Sequence, residues 1–322
     1  MSTNTRSILR YPGSKARFRD FIESAMNLNV GRPRTFVEAF CGGASVSIAL
    51  LEDGVVDRVV LNDVDPLIAS LWFTVFSKEG AAWLADQVQS IPLTVDEWRR
   101  QKALVPKTMR DAALKCLYLN RTSFNGIIHK AGPIGGWGQE TNTLGVRFNR
   151  DRLAGKIISL GERSEQVTVL NKDWRECFAS QSGTEGVFFY ADPPYYYKAE
   201  QLYGFVFTTG EHQALCDYLK DLRDPWLLSY DDSTDVRALY ADLSANARVI
   251  DNTYSTHPLG GASFIGRELM YTNLKRLPPP DTSDRVHIGL SVRSVEVEPA
   301  EKNPLRIPIS TTAISLATAS AA

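Results

Sequence analysis

Apolar residues in this chain fall first into short runs of strand length. Thr35-Phe36-Val37-Glu38-Ala39 ends at Cys41-Gly42-Gly43, and the stretch from Ser45 to Leu51 then follows helical spacing. Val55 to Leu61 reads as a second buried strand, followed by a helical pattern from Pro66 to about Phe76. Strand, Gly-rich turn, helix, strand, helix is the opening of a doubly wound parallel sheet. Between about Gly80 and Gly161 the alternation stops, and helical patterns at Ala81–Gln89, Val95–Leu104 and Arg110–Leu119 lead into the Gly-rich stretch Gly132–Gly138. The rhythm resumes at Val167–Leu170, Gly186–Tyr190 and Trp226–Tyr230, with Arg248–Ile250 and Glu268–Thr272 as two further candidate strands. Beyond Leu277-Pro278-Pro279-Pro280 the chain turns to Ser, Thr, Ala and Pro without period, which predicts a flexible or weakly packed tail. The expected fold is a doubly wound, Rossmann-like α/β sheet over residues 1–78 and 164–277. A mostly helical insert over 79–163 interrupts it, and 278–322 form an extension.

The overall composition is ordinary for a globular enzyme, with 43% hydrophobic and 23% charged residues and a net charge of −1. That average hides an asymmetry. From Arg99 to Arg163 there are 13 Lys/Arg against 4 Asp/Glu, whereas the remainder carries 23 basic and 33 acidic residues. A basic block inside an acidic protein predicts a localised polyanion-binding surface, the alternative being a solvated helical face. No apolar run approaches the roughly 20 residues of a membrane span. The N-terminal residues lack the apolar core of a secretory signal. Cys41, Cys116, Cys177 and Cys216 are scattered with no CxxC pair, which argues against a zinc site or a disulfide framework and for a reduced, cytoplasmic setting.

Chemistry is concentrated in Asp192-Pro193-Pro194-Tyr195, which follows an apolar strand directly. In an open α/β sheet, ligands sit beyond the carboxyl ends of strands. Two prolines fix a rigid turn with carbonyls free to point into a pocket. An exocyclic amine is a poor nucleophile because its lone pair is delocalised into the ring. A carboxylate and a backbone carbonyl accepting its two hydrogens favour an attacking, sp³-like nitrogen and stabilise the charge that develops on it. A neighbouring tyrosine ring can stack on a base rotated out of a duplex. The plain alternative is a Pro-Pro turn with a solvated aspartate.

With these residues the chain resembles the Dam-like family of DNA adenine-N6 methyltransferases, whose catalytic motif is DPPY. Further matches follow in that family's order. Arg10-Tyr11-Pro12-Gly13-Ser14-Lys15 looks like its N-terminal motif, which implies that Tyr11, Gly13 and Lys15 face S-adenosylmethionine (AdoMet), with Lys15 on the carboxylate. Phe36 to Ser45 is similar to its AdoMet-binding turn, implicating Glu38, Phe40, Gly42 and Gly43. There the glycines would let backbone approach the cofactor and start a helix. Asp63, about 20 residues on, matches the ribose-binding acid, and could instead cap the helix beginning at Pro66. Asp173 matches the position that accepts from the cofactor's adenine amine, and could equally cap a helix at Trp174. Asn120 to Gly126 is similar to the motif opening the DNA-contacting loop. The resemblance implies DNA contacts by Arg121, Ser123, Phe124, Asn125 and Lys130, with Phe124 and Asn125 entering the duplex; Phe124 in a small core of the insert is the alternative. The matches span roughly residues 8–275. After Gly126 the chain departs from Dam itself, so the target sequence does not carry over.

The expected activity is direct methyl transfer from AdoMet to adenine N6 of double-stranded DNA, without a metal or a covalent intermediate, by a monomer or a weak dimer on DNA. Alternatives are methylation of cytosine N4 or of a protein glutamine, and a non-catalytic DNA-binding homologue. Aspartate at 192 favours adenine, and the basic insert disfavours a protein substrate.

Overall fold

The computed structural model describes residues 6–11, 13–140, 142–197, 204–254, 264–279 and 290–295. Its centre is an eight-stranded sheet: β1 (Thr35–Glu38), β2 (Arg58–Asn62), β3 (Val167–Leu170), β4 (Val187–Ala191), β5 (Trp226–Asp231), β6 (Ala247–Tyr254), β7 (Phe264–Thr272) and β8 (Leu290–Ser294). The strand order is β3-β2-β1-β4-β5-β7-β6-β8. The first five strands run parallel, while β7, β6 and β8 pair antiparallel. The chain winds outward from β1 in one direction and restarts at β4 in the other. The crevice between the ends of β1 and β4 is therefore the topological switch point, where such sheets bind ligands.

Both faces of the sheet are covered, which explains why its central strands are continuously apolar rather than alternating. On β4 all five residues are buried. Stacking of Phe36 on Phe188, with centroids 6.0 Å apart, joins β1 to β4 on one face. Helices α1 (Arg19–Asn29), α2 (Ser45–Glu52) and α3 (Pro66–Val75) follow the first turns of the fold. Each start has a local cause. Asp65 caps α3, accepting from the Leu67 amide at 2.9 Å ahead of Pro66 at the first helical position. The expected alternative of Asp63 as that cap is thereby excluded.

The insert consists of α4 (Lys78–Ser90), α5 (Val95–Ala103), α6 (Met109–Thr122), a loop and α7 (Arg150–Gly161). The sequence reading missed α7, although Asn149 caps it and Leu153, Ala154, Ile157 and Leu160 form its buried stripe. α4 packs against α7, and α6 against α3. Leu84, Leu117, Tyr118 and Ile157 of the insert belong to one apolar cluster with Phe36, Leu61 and Trp72. The insert is thus seated on the sheet domain through a continuous core. α8 (Trp174–Gln181), α9 (Thr209–Asp221) and α10 (Thr234–Leu239) complete the helices of the described residues.

The expectation for the tail needs correction. Residues 290–294 form β8, paired along β6 from Arg248↔Ser294 to Asn252↔Leu290. Its Arg293 bridges to Asp251 at 2.6 Å. Leu290-Ser291-Val292-Arg293 alternates apolar and polar residues, a strand period that the expectation of a structureless tail overlooks, and the open edge of β6 supplies its hydrogen bonds. Residues 280–289 and 296–322 lie outside the described residues.

Candidate active site and DNA-facing turn

Beyond the ends of β1, β2 and β4 lies a cavity of about 330 Å³, lined among others by Lys15, Glu38, Phe40, Asp63, Asp173 and Asp192. Asp63 follows β2. One of its carboxylate oxygens accepts from the Gly42 amide at 2.8 Å and the other from the Asp65 amide at 2.9 Å. Burial pushes its carboxyl up to about 7, with Asp65 adding to the rise. Glu38 ends β1 and is buried against the Ser47 hydroxyl. Burial lifts it to about 8, and nearby Asp192 and Asp63 contribute. Asp173 has two placements of interest. It caps α8 at the Arg175 amide, 2.9 Å away, and still lines the cavity.

Gly42 and Gly43 of the first turn line the cavity and also meet Tyr11. A Cβ on Gly42 would stand 2.5 Å from the Tyr11 ring, and one on Gly43 2.8 Å from the Tyr11 Cβ. What requires glycine there is close packing of the N-terminal segment on the turn. Phe40 meets Phe207 edge-on at 5.7 Å, and Trp174 donates to Glu211 at 3.3 Å, so aromatic and acidic groups alternate around the cavity. An acid-rich, partly aromatic lining fits a cationic ligand with hydroxyl and amine donors, which is the chemistry of AdoMet.

Asp192 stands at the exit of β4. Its Oδ1 accepts from the Ser229 hydroxyl at 2.7 Å and pairs with the Lys15 ammonium at 2.9 Å. Ser229 is in turn bonded to the buried Tyr190 hydroxyl at 2.8 Å. Lys15, only 4% exposed, also reaches the Gly13 carbonyl at 3.0 Å, the Tyr195 hydroxyl at 3.2 Å and Glu268 at 3.4 Å. Burial alone would push this ammonium down, but Asp192, Glu268 and the two tyrosines hold it well above the ordinary lysine range. Lys15 lines the cavity, and its charge is directed at the Asp192–Tyr195 turn. Pro193 is buried, Pro194 lines the cavity, and Tyr195 is fixed through its hydroxyl, which donates to Glu268 at 3.1 Å. Sequence reasoning missed Ser229 and Glu268. Neither belongs to a motif; only the pairing of β5 and β7 beside β4 brings them in.

The motif at the end of α6 builds a second feature. Asn120 is fully buried. Its Oδ1 accepts from the Arg10 amide at 2.8 Å, and its amide nitrogen donates to the carbonyls of Arg10 at 3.2 Å and Gly126 at 2.8 Å. The turn it holds runs through Asn125 with φ 54° and Gly126 with φ 75°, where a Cβ would lie 1.9 Å from the Arg10 carbonyl. Phe124 is 53% exposed at its tip, so it is not a core residue of the insert, and Asn125 is exposed beside it. Ser123, expected on DNA, is instead fully buried and accepts from the Trp98 indole at 3.2 Å. It anchors the turn because helix α6 ends there with its side chain facing inward. Arg121, Arg10, Arg147 and Arg152 gather close by. Burial pushes Arg121 down to about 10, and the other three arginines add to the fall. Its Nε is buried without a hydrogen-bond partner. Lys130 is exposed on the following loop.

Among the described residues, no helix is long and apolar enough to cross a membrane, and no cluster of His, Cys, Asp and Glu is arranged to hold a metal ion. A search of curated proteins finds no match to this chain. A family model for D12 class N6 adenine-specific DNA methyltransferases matches residues 11–256, a span that contains the cavity's glycine turn, Asp63, the Asn120–Gly126 turn and Asp192–Tyr195. The chain belongs to the D12 class of N6 adenine-specific DNA methyltransferases.

Proposed function

We propose that this enzyme methylates an adenine rotated out of duplex DNA, with AdoMet in the cavity beyond β1 and β2 and the target amine at Asp192–Tyr195. The observation that carries this reading is the shared cavity: Asp192 and Pro194 line the same space as Asp63 and Asp173. Bound there, AdoMet supplies an electrophilic methyl group on a sulfonium. Asp63 is the acceptor for its ribose hydroxyls, Asp173 for its adenine amine and Glu38 for its ammonium, with Phe40 against an apolar face.

With Oδ1 of Asp192 held by Ser229 and Lys15, Oδ2 is left for a hydrogen of adenine N6. The Pro193 carbonyl takes the second hydrogen, and the Tyr195 ring packs on the base. Both acceptors are fixed before substrate arrives, so their full effect falls on the positive charge that forms on nitrogen during transfer. Phe124 and Asn125 enter the duplex and occupy the space the adenine leaves. Arg121 and Lys130 bind phosphates. The insert, residues 79–163, is the recognition part, and its loop over 127–147 selects the sequence.

Purified enzyme with labelled AdoMet and mixed-sequence DNA should yield N6-methyladenine on nucleoside analysis. Asp192→Ala should lose about 100-fold or more in single-turnover rate while retaining AdoMet binding. Label on cytosine N4, or an unchanged rate in the variant, would sink the reading. Sequencing the methylated DNA gives the target site.

A further inference from the structure

Glu268 lies on β7, outside residues 11–256 that match the family, yet its carboxylate is built into the catalytic turn. It is 3% exposed, accepts from the Tyr195 hydroxyl at 3.1 Å and stands 3.4 Å from the Lys15 ammonium. Buried carboxylates are costly and are retained where a partner or a task holds them. A simple partner role does not account for this one. Lys15 already forms an ion pair with Asp192 at 2.9 Å, and that pair by itself would be neutral.

We propose that Glu268 is a positioning residue for methyl transfer, acting through Lys15 and Tyr195 to leave Asp192 an uncompensated acceptor. The proposal rests on the reading of Asp192 as the acceptor of adenine N6. Two carboxylates share one ammonium, so the cluster of Lys15, Asp192 and Glu268 carries one net negative charge when both acids are ionised. In the reaction, the N6 lone pair forms the new N–C bond as the S–CH3 bond breaks with its electrons remaining on sulfur. Positive charge therefore moves from sulfur to nitrogen, and the surplus proton of N6 leaves through Asp192 to solvent. A net anionic cluster stabilises that arriving charge; a neutral Lys15–Asp192 pair would not.

The groups facing Glu268 are Lys15 from the N-terminal segment and Asp192 and Tyr195 from the turn after β4. On the adjacent strands its register partners are Asp231 of β5 and Ile250 of β6. Burial pushes the Glu268 carboxyl up to about 7, against the lowering pull of Lys15, and Asp192 adds to the rise. Its charge is therefore present above neutrality and lost below it.

The test is the single-turnover rate at saturating AdoMet against pH, using wild-type enzyme already shown to form N6-methyladenine and an unmethylated duplex carrying its target sequence. Wild type should show an acid limb centred near neutral pH. Glu268→Gln keeps the shape and an acceptor oxygen. It should bind AdoMet within about twofold of wild type, transfer at least about tenfold more slowly, and lose the acid limb. Restoring the carboxylate one methylene shorter, Glu268→Asp, should recover part of the rate and the limb. A Glu268→Gln rate equal to wild type overturns the proposal. So does a wild-type profile flat through neutrality, a measurement that needs no variant to fold. Failure of wild type to methylate adenine would instead refute the proposed function itself.

Discussion

Carboxyl groups around the cavity are poised by burial rather than by motif. Glu38 is raised to about 8 and Asp63 to about 7, so near neutral pH Glu38 holds a proton and Asp63 is partly protonated, and an incoming cation would expel these protons. Binding of cationic AdoMet should therefore release protons, and its affinity should climb as pH rises from about 6 to about 8.5. Calorimetry in two buffers of different ionisation enthalpy reads the proton count; an affinity flat over that window would refute the assignment. The sign for folding is the opposite. These folded-state values exceed those of the unfolded chain, so the stabilisation is present at acid pH and fades as pH rises through about 7 and about 8. At this scale the sequence was informative where a residue sits in a turn next to its strand, as with Asp63, Asp173 and Asp192. It was misleading at Ser123, because a helix end decides which way that side chain points. It was silent on Glu268, which long-range strand pairing alone delivers.

Among the elements, the strands of the parallel half and the helices α2 to α6 were legible because apolar periodicity and caps agree along them. The exceptions are instructive. α7 lies in the most basic block, where charge obscures a regular apolar stripe. β8 carries a short apolar alternation, Leu290-Ser291-Val292-Arg293, that the Ser/Thr/Pro-rich composition of the tail masks, and it pairs on the edge of β6. The turn after α6 depends on tertiary bonds that no local rule supplies. Gly126→Ala must fit a methyl group against the Arg10 carbonyl at a left-handed backbone angle. It should cost about 1–3 kcal/mol of stability in urea unfolding. Asn120→Ala removes the partner of the half-buried Arg10 amide and carbonyl and of the buried Gly126 carbonyl, and should cost about 2 kcal/mol or more. A stability within error of wild type for both would mean the turn is held by something else.

Over the whole molecule, charge is partitioned more sharply than the net value of −1 suggests. DNA affinity should fall steeply with salt, and Arg121→Ala should reduce the slope of log K against log salt by about 1. A slope unchanged by that substitution would remove Arg121 from the phosphate contacts. The sheet also has a dependent edge. Truncation after residue 279 removes β8 and bares the outer edge of β6 along Arg248–Asn252, whose other edge stays paired with β7. Each kcal/mol lost should lower Tm by about 2–4 °C, and light scattering should reveal self-association through the bared strand.

The bond set of Asn120 bears on how enzymes of this kind can be re-targeted. Through Arg10, it fastens to the insert the same N-terminal segment that carries Lys15 to Asp192, the proposed acceptor of the target amine. A loop transplant whose boundaries fall inside 120–126 would cut that fastening and transmit its disturbance to the reacting centre. One confined to 127–147 leaves the fastening whole. On the proposed role of residues 127–147 in selecting the sequence, the practical seam for exchanging specificity between relatives lies just after Gly126, and chimeras cut there should keep their turnover while changing the sites they mark.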